Sequence, residues 1–314
     1  MRKNLMFLMT FVLMFGLVSS ASAASVTTIW TNGALNQDWS TAGNWNPQVP
    51  DNDDKATFEP GPAGAIIDFL DAVTVLRVAL GHNNPGVASS LTMNGGTLVT
   101  TSEVYIGGDV SSAIVVTGIF NMNGGTVTVG PTSDKFFIGY YSTGYFNMTA
   151  GSVTSGRVYL AGDKDNSTGY ATISGGTVNA TTRLRVGGKA GSKGYLTLTG
   201  GEIITPIFEI APTSATTIGE VYLDGGIIRA GTFSMGSQGY MDIDLGSLLV
   251  AGNQVASIQA YITAGKITAW DGYGQVLVNY HPCLDKTIVN AIIPEPATMT
   301  LLGLGGMLLL RRRK

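Results

Sequence analysis

The sequence has few charged residues, one cysteine and two histidines. Charged residues make up 12% of the 314 positions, against roughly 25% in an ordinary soluble domain. The net charge is −3 and no basic run occurs away from the two ends of the chain, so the positive surface that nucleic acid requires is missing. The single Cys283 has no partner for an internal disulfide. We therefore expect no nucleic-acid partner and no disulfide framework.

Glycine, in contrast, is abundant, and much of it belongs to a repeated phrase. The chain has 43 glycines, about twice the usual share. The phrase occurs as LTMNGGTLVT, FNMNGGTVTV, FNMTAGSVTS, ATISGGTVNA, LTLTGGEIIT and VYLDGGIIRA, with its second glycine at positions 96, 125, 151, 176, 201 and 226. Steps of 25 to 29 residues between these positions indicate stacked structural repeats.

Within each repeat, apolar and polar residues alternate in three short runs, as in strands with one buried face. The run before the glycines supplies the inward pairs Leu91/Met93, Phe120/Met122, Phe146/Met148, Ala171/Ile173, Leu196/Leu198, Val221/Leu223 and Met241/Ile243. The run after them supplies Leu98, Val127, Val153, Val178, Ile203, Ile228 and Leu248. The third run supplies Leu76/Val78, Val104/Ile106, Phe136/Ile138, Val158/Leu160, Leu184/Val186, Phe208/Ile210 and Phe233/Met235.

Three strands and three glycine-bearing corners in each repeat predict one rung of a solenoid. We expect an all-β fold, a single-stranded parallel β-solenoid (β-helix) of about seven three-strand rungs. Return loops that carry the Gly-Tyr pairs at 144, 169, 194 and 239 would bring the chain back to the first strand. The structural alternative is a β-sandwich of hairpins, which would pair consecutive repeats in the antiparallel sense.

Both ends of a solenoid expose strand edges and need caps. Trp30, Trp39 and Trp45 precede the first rung, in a segment that resembles the leader of autotransporter-like repeats, and we expect it to pack on the first coil. Apolar residues at 255, 258 and 262 have helical spacing, which predicts a short helix over the last coil. The following residues predict a hairpin that turns at 271–274.

Outward residues of stacked rungs form rows, and the rows are candidate binding surfaces. The third strand presents Arg77, Tyr105, Phe137, Tyr159, Arg185, Glu209 and Ser234. Tyr105, Phe137 and Tyr159 form a possible glycan-binding strip, because sugars stack on exposed aromatic rings. The alternative is that these rings are covered by another segment or join adjacent rungs. Rows of Thr and Asn on the first strand suit hydrogen bonding to an ordered partner, or an ordinary β-surface.

Catalytic and metal-binding signals are weak. The acidic stretches at 51–54 and 162–169 carry oxygen ligands that calcium prefers, but neither has a complete calcium-loop spacing, and we interpret them as polar turns. His82 lies in a loop with no evident partner. We therefore assign no catalytic residue, no metal ligand and no cofactor. A polysaccharide lyase is the enzyme alternative, because several lyases use parallel β-helices.

The first residues have the three parts of a secretory signal. Basic Arg2 and Lys3 precede an apolar run over 5–18, which is followed by Ala21-Ser22-Ala23. This order predicts cleavage after Ala23, with Ala21 and Ala23 as the small residues of the site. The alternative, an uncleaved anchor, would need a longer apolar run.

The last residues combine a proline motif, an apolar stretch and a basic end: Pro294, Glu295, Pro296, then 297–310, then Arg311, Arg312, Arg313 and Lys314. The apolar stretch would enter lipid while the basic cluster stays on the cytoplasmic side. This order resembles the PEP-CTERM sorting signal of Gram-negative bacteria. The resemblance implies recognition by an exosortase-type membrane enzyme and transport toward the cell surface or its extracellular polysaccharide. The alternative is a plain C-terminal anchor.

These patterns divide the chain into a signal peptide (1–23), an N-terminal cap (24–72), solenoid repeats (73–250), a C-terminal cap of helix plus hairpin (251–281), a tether (282–293) and a sorting and transmembrane segment (294–314). We expect an exported structural protein of the cell surface, associated with the envelope or with extracellular polysaccharide, and at least transiently anchored in the inner membrane. A carbohydrate-binding adhesin that uses the aromatic strip is the alternative.

Overall fold

The computed structural model describes residues 25–293 except 60, 62, 69, 83–87, 110–114, 131–133 and 214. In chain order the strands are β1 (Thr27–Trp30), β2 (Trp45–Asn46), β3 (Lys55–Phe58), β4 (Ala65–Ile67), β5 (Ala72–Val75), β6 (Arg77–Leu80), β7 (Ser89–Met93), β8 (Thr97–Thr100), β9 (Val104–Ile106), β10 (Thr117–Met122), β11 (Thr126–Val129), β12 (Lys135–Ile138), β13 (Thr143–Met148), β14 (Ser152–Leu160), β15 (Thr168–Ile173), β16 (Thr177–Val186), β17 (Lys193–Leu198), β18 (Glu202–Ile210), β19 (Ile218–Leu223), β20 (Ile227–Met235), β21 (Gly239–Ile243), β22 (Ser247–Ala251), β23 (Ile267–Ala269), β24 (Gln275–His281) and β25 (Lys286–Ile292). Within the described part of the chain the α-helix is α1 (Val255–Thr263).

The described strands form two sheets that wind as a parallel β-solenoid. The front sheet has nine strands, in the order β23-β21-β19-β17-β15-β13-β10-β7-β4, and the back sheet has sixteen. Neighbouring repeats pair in the parallel sense and in register, so that Phe120 lies between Leu91 and Phe146. This pairing confirms the predicted solenoid and excludes the antiparallel sandwich.

The solenoid has about nine turns rather than seven. The additional front strands are β4 and β23, which lie outside the repeated phrase at opposite ends of the front sheet. They were missed because the phrase was used to count the turns. At about 4.8 Å between paired strands, nine turns make a rod roughly 40 Å long.

The core lies between the two sheets and is lined by the predicted inward positions. All the predicted pairs of the front strands, and the single position after each glycine phrase, are buried. In the first turn, the third run differs from the prediction, because β6 pairs Val78 with Val104 and Leu80 with Ile106. Leu76 therefore lies in the bend before β6, and Ala79 rather than Arg77 stands opposite Tyr105.

The second and third strands of a rung are separate only in the earlier turns. In β14, β16, β18 and β20 they merge into one long strand, and β14 passes the corner through a register shift between Ser155 and Arg157. In an earlier turn β11 ends at Val129, and Gly130 follows it at φ 36°. The merged strands carry a bulge instead of a loop, so the backbone stays in the ladder.

The N-terminal cap is an aromatic plug over the first coil, as predicted. The rings of Trp30 and Trp45 lie 5.0 Å apart and those of Trp39 and Trp45 lie 4.7 Å apart. Phe58 of β3 packs beneath all three. Trp30 donates its indole N–H to the Ala63 carbonyl and Trp45 donates to the Trp39 carbonyl, both at 2.7 Å. The buried polar atoms of two of the rings are thus satisfied.

The C-terminal cap contains the predicted helix, but its hairpin lies elsewhere. α1 buries Ile258 against the core. The expected turn at 271–274 is wrong, because β23 joins the front sheet in parallel while β24 joins the back sheet. The hairpin is β24–β25, which turns at 282–285. Residues 282–293 are therefore not a tether: β25 pairs antiparallel with β22 and covers the last coil of the back sheet.

Candidate functional site

The predicted aromatic strip lies on the outward side of the back sheet, but it is buried. Tyr105, Phe137 and Tyr159 are 6%, 2% and 3% exposed, and they form a cluster separate from the main core. The rings of Tyr105 and Phe137 stack 5.2 Å apart, and Tyr159 meets Phe137 edge-on at 6.0 Å. In-register pairing of β9, β12 and β14 brings the three rings together.

Other side chains cover this strip. Tyr140 lies 4.5 Å from Tyr105 and 4.4 Å from Phe137, measured between ring centroids. The cations of Arg77, Lys135 and Arg185 lie over the rings of Tyr105, Phe137 and Tyr159 at 4.9, 5.1 and 5.1 Å. These rings are therefore not an exposed ladder; they are covered and join adjacent rungs, as the alternative interpretation predicts. Glycan stacking there would require the covering side chains to move.

The covering cations are themselves paired with carboxylates. Glu209 accepts from Arg185 at 2.8 Å and lies 3.5 Å from Arg183. Arg77 lies 3.4 Å from Glu103. Burial raises the pKa of the Tyr140 hydroxyl, and it also raises the pKa of Tyr105. Both phenols stay protonated near neutral pH, as apolar packing favours.

A second aromatic row, which the sequence analysis missed, lies on the front sheet. Tyr145, Tyr170 and Tyr195 stack at 4.9 Å between successive centroids, with 8° between successive ring planes. Tyr145 is 37% exposed, and the other two rings are half-buried. We call this row the tyrosine ladder. Of the two aromatic rows, the tyrosine ladder is the one that solvent reaches.

The signal for the tyrosine ladder was present in the sequence. Each of its residues follows a glycine and precedes an inward residue, at steps of 25 residues. The Gly-Tyr pairs were assigned to return loops, yet the structure places them inside β13, β15 and β17. Because each tyrosine is next to an inward side chain in a strand, its ring points outward.

Polar rows run beside the tyrosine ladder on the same face. Asn147 donates its side-chain amide to Asn121 at 2.9 Å, and Asn123 donates to Asn94 at 3.0 Å. Thr172 and Thr197 continue the nearer row. Stacked amides satisfy one another in this way. The face therefore combines an apolar strip with regularly spaced hydroxyl and amide groups.

The acidic stretches and His82 are held by protein partners. Asp54 accepts from the Val26 N–H at 3.0 Å and from Gln48 at 2.9 Å, and Asp163 pairs with Lys135 at 3.5 Å. His82 does have a partner, Asp109, at 2.5 Å, and this hydrogen bond raises the pKa of His82. Across the described ranges no group of three or more His, Cys, Asp or Glu side chains could hold a metal ion.

An acidic cluster lies at the C-terminal end of the front sheet. Asp242 is buried and accepts from the Thr268 hydroxyl and from the Asp271 N–H. Burial, and then the Asp242 charge, raise the pKa values of Asp224 and Asp244. Asp242, in β21, and Asp244, directly after it, hold the segment that follows β23, because they accept from the Asp271 and Trp270 N–H groups.

Comparison with known proteins identifies the end of the chain. The PEP-CTERM protein-sorting motif matches residues 293–314, as the residues of the tail predicted. No curated protein and no solved structure matches the chain. Motifs of this kind are recognised by exosortase-type sorting enzymes, and they mark an exported protein that is sorted to the cell surface.

The predicted signal peptide and the sorting motif fall outside the described residues, apart from Ile293. The signal-cleavage residues Ala21 and Ala23, the Pro294-Glu295-Pro296 motif and the basic end at Arg311, Arg312 and Arg313 therefore stay predictions from sequence as far as their structure is concerned. In the portion that the structure covers, no helix has the length and apolar character to cross a membrane.

Proposed function

We propose that this surface-sorted β-solenoid is a structural protein that associates with extracellular polysaccharide or the envelope through the front sheet, without turning over a substrate. The observation that carries the proposal is the tyrosine ladder with its flanking amide and hydroxyl rows. This surface repeats at one strand spacing over several turns. A polymer with its own regular repeat can contact such a surface at many equivalent points.

The chemistry of the ladder suits sugars. A pyranose offers C–H groups on its faces and hydroxyls around its rim, and tyrosine offers an apolar ring with a hydroxyl at its tip. Each ring of the ladder is held by its neighbours at 4.9 Å, so little side-chain entropy is lost when a ligand binds. Asn147 and Thr172 lie beside the rings and supply donors and acceptors.

Targeting completes the proposal. Cleavage after Ala23 would release the chain into the exported compartment, and the segment 297–310 would hold it briefly in the inner membrane while an exosortase-type enzyme acts at Pro294-Glu295-Pro296. Mass measurement of the mature protein from its native host tests this part. A mature chain that keeps residues 1–23 or an intact C-terminus would contradict it.

Co-sedimentation with polysaccharide purified from the native host tests the binding surface. We expect the wild-type chain to sediment with the polymer and the triple variant Tyr145→Ser, Tyr170→Ser, Tyr195→Ser to lose at least about tenfold in affinity, or about 1.4 kcal/mol. The matched control is Tyr273→Ser, because Tyr273 is 86% exposed and lies outside the ladder.

Two results would overturn the proposal. Binding that survives the triple substitution would exclude the tyrosine ladder as the binding surface. Failure of the wild-type chain to bind any host polysaccharide would exclude the polysaccharide role. Release of unsaturated sugars, followed by absorbance with and without a chelator, would instead support the polysaccharide lyase.

A further inference from the structure

The two ends of the solenoid are closed to different degrees. At the N-terminal end, the back sheet finishes in β2, which has two residues and is followed by Pro47. The front sheet finishes in β4, whose outer edge is bridged by the cap: Trp39 N–H donates to the Ile66 carbonyl and Ile66 N–H donates to the Gln37 carbonyl. β5, on a side branch of the back sheet, also pairs on one side only, with β8, but it has four residues. Among the described strands at this end, none presents a long free edge.

At the C-terminal end the front sheet finishes in β23, which has three residues, but the back sheet presents a longer free strand. β24 is the last strand of the back sheet and pairs on one side only, with β25. Its seven residues, Gln275–His281, include no Lys, Arg, Asp, Glu or Pro. Natural edge strands are usually protected by charges, prolines, bulges or short length. β24 has none of these protections, and Gln275, Asn279 and His281 are exposed.

We propose that β24 pairs antiparallel with β24 of a second copy of this chain. The back sheet already continues from β22 into β25 and β24 by antiparallel pairing, so a further antiparallel strand extends the same sheet. Self-pairing about a twofold axis near Val278 would place Gln275 opposite His281 of the second copy and bring no like charges of the two strands together.

The asymmetry of the two ends selects the assembly. A filament requires two complementary edges on each chain. Among the described strands that pair on one side only, β24 has seven residues, whereas β2, β4, β5 and β23 have four or fewer. A single self-complementary edge gives a closed twofold dimer. Seven paired residues span roughly 24 Å, which is a small contact compared with standard interfaces. The dimer is therefore weak, and its population rises with concentration.

The position of Cys283 excludes a disulfide between the two chains of the proposed dimer. Cys283 is exposed and lies in the turn directly after β24. In an antiparallel β24 pair the two turns lie at opposite ends of the shared ladder, too far apart for the Cα separation of about 6 Å that a disulfide needs. The dimer therefore forms equally in oxidising and reducing buffer.

Sedimentation equilibrium of the mature chain recovered from its host tests the pairing. We expect the mass to rise from one chain to two with concentration, with or without reductant. Asn279→Lys puts like charges beside the twofold axis and should keep the chain monomeric, with at least about a tenfold loss of dimer affinity. Asn290→Lys, on the inner strand β25 opposite Leu277, is the matched control and should dimerise as the wild type does.

Circular dichroism melts of both variants verify that each remains folded. A wild-type chain that stays monomeric at every concentration overturns the proposal, as does an Asn279→Lys variant that dimerises as well as wild type. A mass that keeps growing past two chains, or a dimer that reductant dissociates, also overturns it. Loss of polysaccharide binding without loss of the dimer would leave this inference standing, because the tyrosine ladder lies on the other sheet.

Discussion

Gly169 lies against the carbonyl oxygen of Ile138, and a Cβ atom at Gly169 would stand 2.1 Å from that oxygen. The oxygen is already fixed, because it accepts from the Ala161 N–H at 2.8 Å. Gly169 belongs to a row of paired glycines at 144, 169, 194, 219 and 239. The corner between the end of one rung and the start of the next is therefore too narrow for a side chain.

Gly169→Ala should destabilise the solenoid by about 3 kcal/mol, because neither backbone segment can move without breaking ladder hydrogen bonds. Gly239→Ala in the same row is the graded control. Its Cβ would stand 3.0 Å from the Ile210 oxygen, and we expect a change below about 1 kcal/mol. Denaturant unfolding measures both. Equal losses for the two variants would contradict the steric explanation.

Phe137→Ala should cost about 3–5 kcal/mol, since the ring is 2% exposed and contacts Tyr105, Tyr140 and Tyr159. Phe137→Leu keeps most of the volume and should cost less than about 1.5 kcal/mol. Polysaccharide affinity should be the same for the folded fraction of both variants. A drop in affinity without a drop in stability would return the binding role to this strip.

Stability should depend on pH through His82. Its hydrogen bond to Asp109 raises the pKa of His82 above 6.5 in the folded chain, although burial opposes the shift. A raised pKa contributes stability that is complete below pH 6.5 and is lost as pH rises through the folded value. Asp109→Asn should therefore lower the free energy of unfolding by about 1–2 kcal/mol at pH 5.5 and by less at pH 9, with a correspondingly larger drop in melting temperature at pH 5.5.

Asp53→Asn is the control for that experiment, because Asp53 is an exposed aspartate in another loop. It should leave the pH dependence of the melting temperature unchanged. A deficit of Asp109→Asn that is the same at both pH values would show that the pair acts only through packing.

In the acidic cluster, a substitution that neutralises an aspartate should raise the stability of the fold, whereas Asp109→Asn lowers it. Burial and the Asp242 charge raise the pKa of Asp244 above 3.8. The stability that goes with protonation is present below pH 3.8 and is lost as pH rises through the folded value. Asp244→Asn should therefore raise the melting temperature slightly at pH 7 and have no such effect near pH 3.5. Asp165→Asn, at an exposed loop position, should do neither. A destabilised Asp244→Asn variant at pH 7 would mean that the Trp270 N–H requires a charged acceptor.

The sequence pattern was sufficient for the front strands, because their inward pairs repeat at a constant distance from the glycine phrase. Leu196 and Leu198 are buried as that pattern requires. The pattern was insufficient near Leu76, where the glycine phrase is absent. There the pair Leu76/Val78 fits the alternation as well as the pair Val78/Leu80, which the structure places in β6. It was also insufficient for β25, because 286–292 pairs with β22, a strand about forty residues earlier in the chain that alternation cannot identify.

The candidate site was only half visible in the sequence. Alternation placed Tyr105 and Phe137 outward, which is correct, but whether solvent reaches an outward ring depends on what lies over it. Tyr140 and Lys135 cover these rings, and neither is on the same row. Tyr145 was equally visible in the alternation, yet the Gly-Tyr pair was interpreted as a loop.

The sequence by itself determined that the chain winds into parallel rungs, which residues face the axis, and that the C-terminus carries a sorting motif. Each of these follows from local periodicity or from a short motif. Only the tertiary structure decided which outward row is open, where the last hairpin closes the solenoid, and that β24 keeps a free edge. Those properties depend on contacts between residues far apart in the chain, whose free energy no local pattern records.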